Sequence, residues 1–416
     1  MTPLPSPRAT GEAPTTLEPR APGRRVLALG LGAVLGFTLL KGLVTLPHDW
    51  AISHHLLNYA HGFVKRGLPG TLLLPFFSGR DGATVRQMII GVSFAVMTLF
   101  TVMAARAALG LVRGQALRRN DVAAAFLFAS SAFVWHTAMC LGYFDALVAV
   151  LALLAVPGGR LGLLRFVPLA VVALAVHEVS AFLLVPVLLL LPLAPSRPGL
   201  AVDRGGAARV GAAIGVLAVA SAFLFASRPS AELHARMLQW EATPPRWVDI
   251  VHELMNVPFR GQLERILAHQ DMADIYLRGL IVLLPTTFIM MGLGLARLWR
   301  SGLERRARWL WAAVYTVASC SSLVLVLVAF DFARLFSLTH LQAFLAYTAL
   351  RWRLGPDTGP ARGGWALPAV AAVLVVANLL MPARFTFMEP RPRFLPDRVD
   401  AWLVDPLGSL ADRLTR

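Results

Sequence analysis

The sequence predicts an all-α polytopic membrane protein with about 11 transmembrane helices. Of its 416 residues, 57% are hydrophobic and 15% are charged, and the mean hydropathy is +0.64. Soluble domains have about a quarter of their residues charged, so this composition excludes an ordinary soluble enzyme. A helix needs about 20 residues to cross a bilayer. Apolar runs recur along the chain at 26–46, 87–112, 122–156, 163–194, 208–227, 276–298, 309–330, 335–350 and 364–382.

Two of these runs, 122–156 and 163–194, are too long for a single crossing. Each carries polar residues near its middle, the sequence GYFD at 142–145 in the first and His177-Glu178 in the second. We therefore predict that each run forms a hairpin of two short helices, which gives 11 spans. If each run were instead one tilted helix, the number of spans would be nine.

The chain is predicted to consist of one membrane domain between two tails. Residues 1–25 are rich in Pro, Thr and Ala and lack periodicity, which predicts a disordered tail. The first apolar run ends in VTLPHDW, which offers no small-residue cleavage site, so we expect an uncleaved first span. The membrane domain is placed at 26–382 and a short outer tail at 383–416.

Positive charge predicts the orientation. The sequence has 39 basic and 23 acidic residues, a net charge of +16. Because successive connections lie on alternate sides of the membrane, the tails and connections divide into two sets. One set holds 20 arginines and five acidic residues, whereas the other holds 17 basic and 17 acidic residues. The positive-inside rule places the first set, and the N-terminus, in the cytoplasm and the C-terminus outside. This topology accounts for the basic residues without a nucleic-acid partner. The cytoplasmic set is 1–25, 113–120, 157–165, 195–209, 297–308 and 351–363.

Two long segments on the predicted outer side carry amphipathic or apolar stretches. Within 48–86, GFVKRGLPGTLLLPFFSG is too short to span and is broken by Gly and Pro, which indicates an interfacial or re-entrant element. Within 228–275, residues 231–275 are amphipathic and contain breaks at Pro244-Pro245 and near Pro258. We expect two or three helices lying on the outer surface. Their aromatic residues at headgroup depth would be Trp240, Trp247 and Phe259.

Most of the unusual polar residues are predicted to share the outer face. Asp49 follows the first span and could act as a general base or as a ligand to a divalent cation. A helix-end residue in an ion pair is the alternative. Neighbouring histidines, including His48, raise the local density of titratable groups, but they form no compact metal-binding motif. The outer-face residues are His48, Asp49, His54, His55, His61, Lys65, Arg66, Arg80, Asp81, Asp145, His177, Glu178, Asp331, Arg334 and His340.

Lys65 and Arg66 precede a Gly-Leu-Pro turn and suit a phosphate ligand, since arginine offers a bidentate fork and lysine a point charge. Anchoring to lipid headgroups requires the same residue types and is the alternative. Positive charge on the outer side is not needed for topology, which favours the phosphate.

Two further positions carry ionisable groups within apolar surroundings. Asp145 would lie at the turn of its hairpin, either as a cap or as part of a site. An intramembrane pair such as His177-Glu178 favours a role in binding or proton transfer. Asp331 and Arg334 are spaced i, i+3 and could pair on one helix face; alternatively, Arg334 is a phosphate ligand oriented by Asp331.

Together, the acid in the first outer loop, the many spans, the outer amphipathic helices and the neighbouring cations resemble the C-type (GT-C) integral membrane glycosyltransferases. The resemblance covers the architecture, and its motif is the single pair His48-Asp49. It implies a bacterial cytoplasmic (inner) membrane enzyme with a polyprenyl-phosphate sugar donor and membrane lipids as surroundings. It further implies that Asp49 acts as base or metal ligand, with Lys65, Arg66 or Arg334 near the donor phosphate.

Two other function classes stay open at this level. A polymerase or ligase of O-antigen or exopolysaccharide would grip a lipid pyrophosphate with Arg66, Arg80, Arg334 and His177. A proton-coupled transporter or flippase would use His177-Glu178 as a proton relay.

Overall fold

A computed structural model describes eight stretches of the chain and three isolated positions. The stretches are 21–43, 46–113, 118–155, 162–192, 204–257, 283–327, 332–354 and 366–381, and the positions are 261, 264 and 281. All of the regular secondary structure in these residues is helical. The all-α prediction is confirmed for the described part of the chain.

Sixteen α-helices are described. They are α1 (Ala21–Gly42), α2 (Asp49–His54), α3 (Gly67–Phe77), α4 (Gly82–Val112), α5 (Arg119–Ala129), α6 (Ala132–Met139), α7 (Asp145–Ala155), α8 (Gly162–Val176), α9 (Ser180–Leu188), α10 (Arg204–Ala226), α11 (Ala231–Gln239), α12 (Pro245–Asn256), α13 (Leu284–Trp299), α14 (Arg305–Cys320), α15 (Phe332–Leu354) and α16 (Ala366–Leu380). A 3-10 helix, Ser321–Leu327, follows α14. The first helix begins at Ala21, ahead of the predicted start at Val26.

Within the residues that the structure describes, four helical segments are long and apolar enough to cross a membrane. They are Gly23–Gly42, Gly82–Val112, Arg119–Met139 and Arg204–Phe223. Shorter apolar helices accompany them, including most of α8 and the whole of α3, α7 and α16. The helices thus have the membrane character expected from the sequence, while 11 spans remains a prediction.

The long run 122–156 is interrupted at the polar residues identified in the sequence. Helix α6 ends at Met139 and α7 begins at Asp145. In the turn between them, Gly142 has a φ of 92°, and a Cβ there would lie 2.9 Å from Pro47 and 3.3 Å from Ala51. Glycine avoids both the strained φ and the close approach. This turn presents Asp145 at the first position of α7.

The run 163–194 is also interrupted at the residues identified in the sequence. Helix α8 ends at Val176, and α9 begins at Ser180. The Ser180 hydroxyl donates to the Ala173 carbonyl at 2.8 Å, satisfying one backbone acceptor near the end of α8. The short interruption holds His177 and Glu178 between two apolar helices.

A second hydrophobic core lies beside the main bundle and includes residues from α2, α3, α4, α11 and α12. Amphipathic α11 and α12 are separated at residues 240–244, close to the predicted Pro244-Pro245 break. Trp240, expected at headgroup depth, is buried with its ring 5.9 Å from that of Phe77. Pro258 and Phe259 lie outside the described residues. This second core packs α2 and α3 against the bundle.

At one end of the bundle, three predicted cytoplasmic connections meet around Asp121. Its carboxylate accepts from Tyr347 Oη at 2.7 Å, Arg351 Nε at 2.9 Å and Arg297 Nη1 at 3.4 Å. Arg351 lies in the last turn of α15, whereas Arg334 lies in its first turn. The polar residues around Arg334 therefore occupy the opposite end of the bundle.

Candidate active site

Six ionisable side chains, distant in sequence, form one connected group at the Arg334 end. This buried polar cluster consists of His54, Arg66, Asp145, His177, Glu178 and Arg334. The side chains of five of these residues, Arg66, Asp145, His177, Glu178 and Arg334, are between 4% and 16% exposed. Ionisable groups within a membrane bundle are costly and mark functional sites by default. The cluster is therefore the primary candidate site.

Arg66 is the centre of the first half of the cluster. Its Nε lies 2.9 Å from Glu178 Oε2, its Nη2 also contacts Glu178, and its Nη1 lies 2.8 Å from His54 Nε2. The backbone of Arg66 is left-handed, with φ 62° and ψ 14°, immediately before α3. A non-glycine residue in this conformation is strained, and such strain persists only where surrounding contacts hold it. Those contacts aim the guanidinium into the bundle.

The contacts of His54 define its protonation. A guanidinium can only donate, so His54 Nε2 must accept from Arg66. The proton then resides on Nδ1, which donates to the Trp50 carbonyl at 2.8 Å. Burial, followed by the nearby Arg66 charge, lowers the pKa of His54 well below its usual value. His54 is consequently a neutral ligand of Arg66.

Arg334 is the centre of the second half. Its Nη2 lies 2.8 Å from Asp145 Oδ1 and 3.2 Å from His177 Nε2, and its Nε also donates to Asp145. His177 Nδ1 lies 3.4 Å from Glu178 Oε2, which joins the two halves. The Arg334 guanidinium also stacks over the Tyr143 ring, 4.9 Å from its centroid. Asp145, which begins another helix, thus orients Arg334.

Lys65 adds a further cation beside the cluster. The residue is only 8% exposed, and within the described residues its ammonium group makes no hydrogen bond or ion pair. Burial lowers the pKa of Lys65, while the Glu178 carboxylate acts in the opposite direction. A largely desolvated ammonium group without a bonded partner is unfavourable. An anionic ligand would supply that partner.

An apolar cavity of about 140 Å³ adjoins the cluster. It lies between α3, α4 and α7, and the turn before α7 closes it with Tyr143 and Phe144. These two rings also contact cluster residues, since Tyr143 lies under Arg334 and Phe144 packs edge-on against His54 at 6.4 Å. His55 lines the cavity, and burial lowers its pKa to about 4. The polar cluster and the apolar cavity share one wall.

His48 and Asp49 lie at the other end of α2 from the cluster. The His48 Nδ1 accepts from the backbone N–H of Trp50 at 3.1 Å and so caps α2. The Asp49 carboxylate, 24% exposed, lies 2.5 Å from Arg86 Nη1. A rise of ~1.5 Å per residue separates Asp49 from His54 by about 7.5 Å along the axis. The ion-pair alternative for Asp49 is therefore realised, and its carboxylate remains partly exposed.

The remaining predicted site residues are not brought into the cluster. Arg80 is exposed in the turn between α3 and α4, whereas the cluster is buried. Asp331 lies outside the described residues, so its expected pairing with Arg334 stays a prediction. Sequence reasoning did not select Arg86 as a site residue, because its charge in the first turns of α4 matches no motif.

Comparisons with known proteins leave the family open. No family model matches the chain, and neither a curated protein nor a solved structure matches it. Within the described residues, no three His, Cys, Asp or Glu side chains are grouped to hold a metal ion. The geometry of the cluster itself therefore carries the functional argument.

Proposed function

We propose that this protein is an integral membrane glycosyltransferase that moves a sugar from a polyprenyl-phosphate donor to an acceptor at the extracytoplasmic face. The observation that carries the proposal is the pair of cations Lys65 and Arg66. Lys65 is 8% exposed and its ammonium makes no hydrogen bond or ion pair within the described residues, and the cluster that contains Arg66 adjoins an apolar cavity. A donor with a phosphate head and a hydrocarbon tail matches both features.

The phosphate is assigned to the cationic side of the cluster. Lys65 provides the point charge, and Arg66 and Arg334 provide planar donors that are already oriented by Glu178 and Asp145. As the bond to the sugar breaks, negative charge develops on the leaving phosphate. Fixed cations in a water-poor site stabilise that charge without reorganising.

The tail is assigned to the apolar cavity between α3, α4 and α7. Leu72 on α3 lines this cavity and is 65% exposed on its outer side, so α3 faces both the cavity and the surroundings of the bundle. Displacing α3 would open a lateral route for a polyprenyl chain. The phosphate would then enter beside Lys65, just before α3 begins.

Asp49 is assigned as the base that takes the proton of the acceptor hydroxyl. Its ion pair with Arg86 fixes the position of the carboxylate, and its partial exposure admits an acceptor. Glu178 is the second candidate base. Because Glu178 is engaged by two nitrogens of Arg66, it would first have to exchange that contact for solvent or substrate.

The two alternatives differ in what they require of the same residues. A polymerase or ligase acting on lipid pyrophosphates would also use Arg66 and Arg334, so the substrate must distinguish it. A transporter that uses His177-Glu178 as a relay needs a carboxylate that binds and releases protons. Two nitrogens of Arg66 already engage Glu178, so a relay would first have to break this contact, and this favours group transfer over transport.

The test is sugar transfer by the purified protein in liposomes supplied with polyprenyl-phosphate-linked radiolabelled sugars and a membrane-extract acceptor. Asp49→Asn should reduce transfer by about 10²- to 10⁴-fold, the usual contribution of a general base. Asp249→Asn is the matched control, since Asp249 is a 60% exposed acid on α12, and it should retain activity.

Retained transfer by folded Asp49→Asn would exclude Asp49 as the base. Absence of transfer by wild-type protein from every polyprenyl-phosphate sugar would overturn the proposed function. Chain extension from lipid pyrophosphate repeats in the same liposomes would favour the polymerase. Proton-driven uptake that requires Glu178 would instead favour transport.

A further inference from the structure

A second groove lies away from the candidate active site, between α1, α5 and α16. It encloses about 440 Å³, within the range of about 300–1,000 Å³ typical of ligand sites. Its lining is apolar apart from Arg119 and consists of Leu27, Arg119, Val122, Ala123, Phe126, Pro368, Ala371, Ala372 and Val375. Neighbouring Val373 is 68% exposed on the surface of the apolar helix α16. The groove thus opens on a face suited to hydrocarbon chains.

The three helices around the groove run in the same direction, because their C-terminal ends meet. Lys41, in the last turn of α1, donates to the carbonyls of Asn378 and Leu379 at the end of α16, at 3.2 and 3.4 Å. The Asn378 amide in turn donates to Ser130, the C-cap residue of α5, at 3.4 Å. The N-terminal ends of all three helices therefore lie together at the opposite end.

Because the three helices are parallel, partial charges of the same sign lie together at each end of the groove. A helix carries a partial negative charge at its C-terminus and a partial positive charge at its N-terminus. Lys41, which is fully buried, supplies a cation at the joined C-terminal ends. At the N-terminal ends the groove has Arg119 in the first turn of α5. Positive helix ends and an arginine together favour an anion there.

We infer that this groove binds one anionic phospholipid, with an acyl chain along Ala372 and Val375 and the phosphate at Arg119. The site is independent of the proposed sugar transfer. By the predicted orientation, the phosphate lies in the cytoplasmic leaflet, where anionic lipids are concentrated. A zwitterionic lipid such as phosphatidylcholine could fill the apolar part, but its choline cation would lie at the same positive end of the groove.

The probe is phosphatidylglycerol, compared with phosphatidylcholine of identical acyl chains, added to the delipidated full chain and counted as adducts by native mass spectrometry. The wild type should prefer phosphatidylglycerol. Arg119→Gln should reduce that preference by about fivefold, the effect of about one basic residue near an anionic headgroup. Arg209→Gln, an exposed arginine on α10, should not reduce it.

A second pair of variants tests the groove itself. Ala372→Phe fills the groove from an exposed position and should remove the preferred adduct, whereas Ala377→Phe, exposed on α16 outside the lining, should keep it. Equal binding of the two lipids by wild-type protein would overturn the inference. Undiminished phosphatidylglycerol binding by Ala372→Phe would overturn it as well.

Discussion

Arg66 Nε lies 2.9 Å from Glu178 Oε2, although 112 positions separate the two residues. Arg66 immediately precedes α3, and Glu178 occupies the interruption between α8 and α9. The pair therefore fastens a short apolar helix to the bundle at the point where the bundle is itself interrupted. Since α3 also forms one wall of the apolar cavity, this contact controls the geometry of both parts of the site.

Breaking this pair from one side should be strongly destabilising. Glu178→Gln leaves the buried Arg66 charge without its carboxylate partner. Arg66→Met leaves the buried Glu178 carboxylate without its guanidinium partner. Each single substitution should cost about 3–5 kcal/mol, and the double variant should cost less than the sum. Unfolding in detergent measures the three values. Glu232→Gln, whose side chain is 76% exposed, should change stability little, and strict additivity of the pair would contradict the coupling.

Lys65 should affect donor binding more than protein stability. Its ammonium makes no hydrogen bond or ion pair with the described residues, so Lys65→Gln leaves no charged group among those residues unpaired. Loss of about 1.4 kcal/mol of phosphate binding corresponds to a tenfold weaker affinity. We expect the KM for a polyprenyl-phosphate sugar to rise about tenfold with a smaller change in kcat. Lys65→Arg should recover part of the affinity, and an unchanged KM in Lys65→Gln would remove this residue from the phosphate site.

Stability should fall in mild acid because His55 is buried in its neutral form. Its folded-state pKa is about 4, whereas an unfolded histidine has a pKa of about 6.5. As the pH falls, the unfolded state binds the proton first, so stability is complete above about pH 6.5 and is lost between about 6.5 and 4. The loss is on the order of 3 kcal/mol. His55→Gln keeps a donor for the Ala51 carbonyl and should flatten the pH dependence of the thermal midpoint. If the thermal midpoint of this variant fell as steeply with pH as that of the wild type, His55 would not be the cause of the acid sensitivity.

The interruptions of the helices could be predicted because they depend on local sequence. Polar residues inside an apolar run, as at Asp145 and at His177-Glu178, indicate where a helix cannot continue in hydrocarbon. The Pro244-Pro245 break is equally local, since proline at the first helical position suits the start of α12. Each of these features requires only a few neighbouring residues to be recognised.

The pairings across the bundle could not be predicted in the same way. Arg334 is oriented by Asp145 at a separation of 189 residues, and Asp49 by Arg86 on another helix. Such contacts depend on which helices are neighbours and how far each is rotated, and no periodicity in a single helix contains that information. The sequence accordingly indicated the residue types at one face but not the partner of each charge.

Gly70 offers a direct test of the close contact between α3 and the segment after α2. A Cβ at Gly70 would overlap the Leu57 carbonyl oxygen and lie 2.6 Å from the His55 carbonyl oxygen. Because these are backbone atoms, Gly70→Ala must displace α3, and overpacking of this kind typically costs about 1–3 kcal/mol. Gly91→Ala on α4 is the matched control, since a Cβ there would meet nothing within 4 Å. Because alanine is favoured over glycine in helices, the Gly91→Ala variant should be more stable than the wild type by up to about 1 kcal/mol. Thermal unfolding compares the two variants. Sugar transfer should fall only in Gly70→Ala, because α3 forms one wall of the apolar cavity. Equal stability of both variants would show that α3 is not held at this distance.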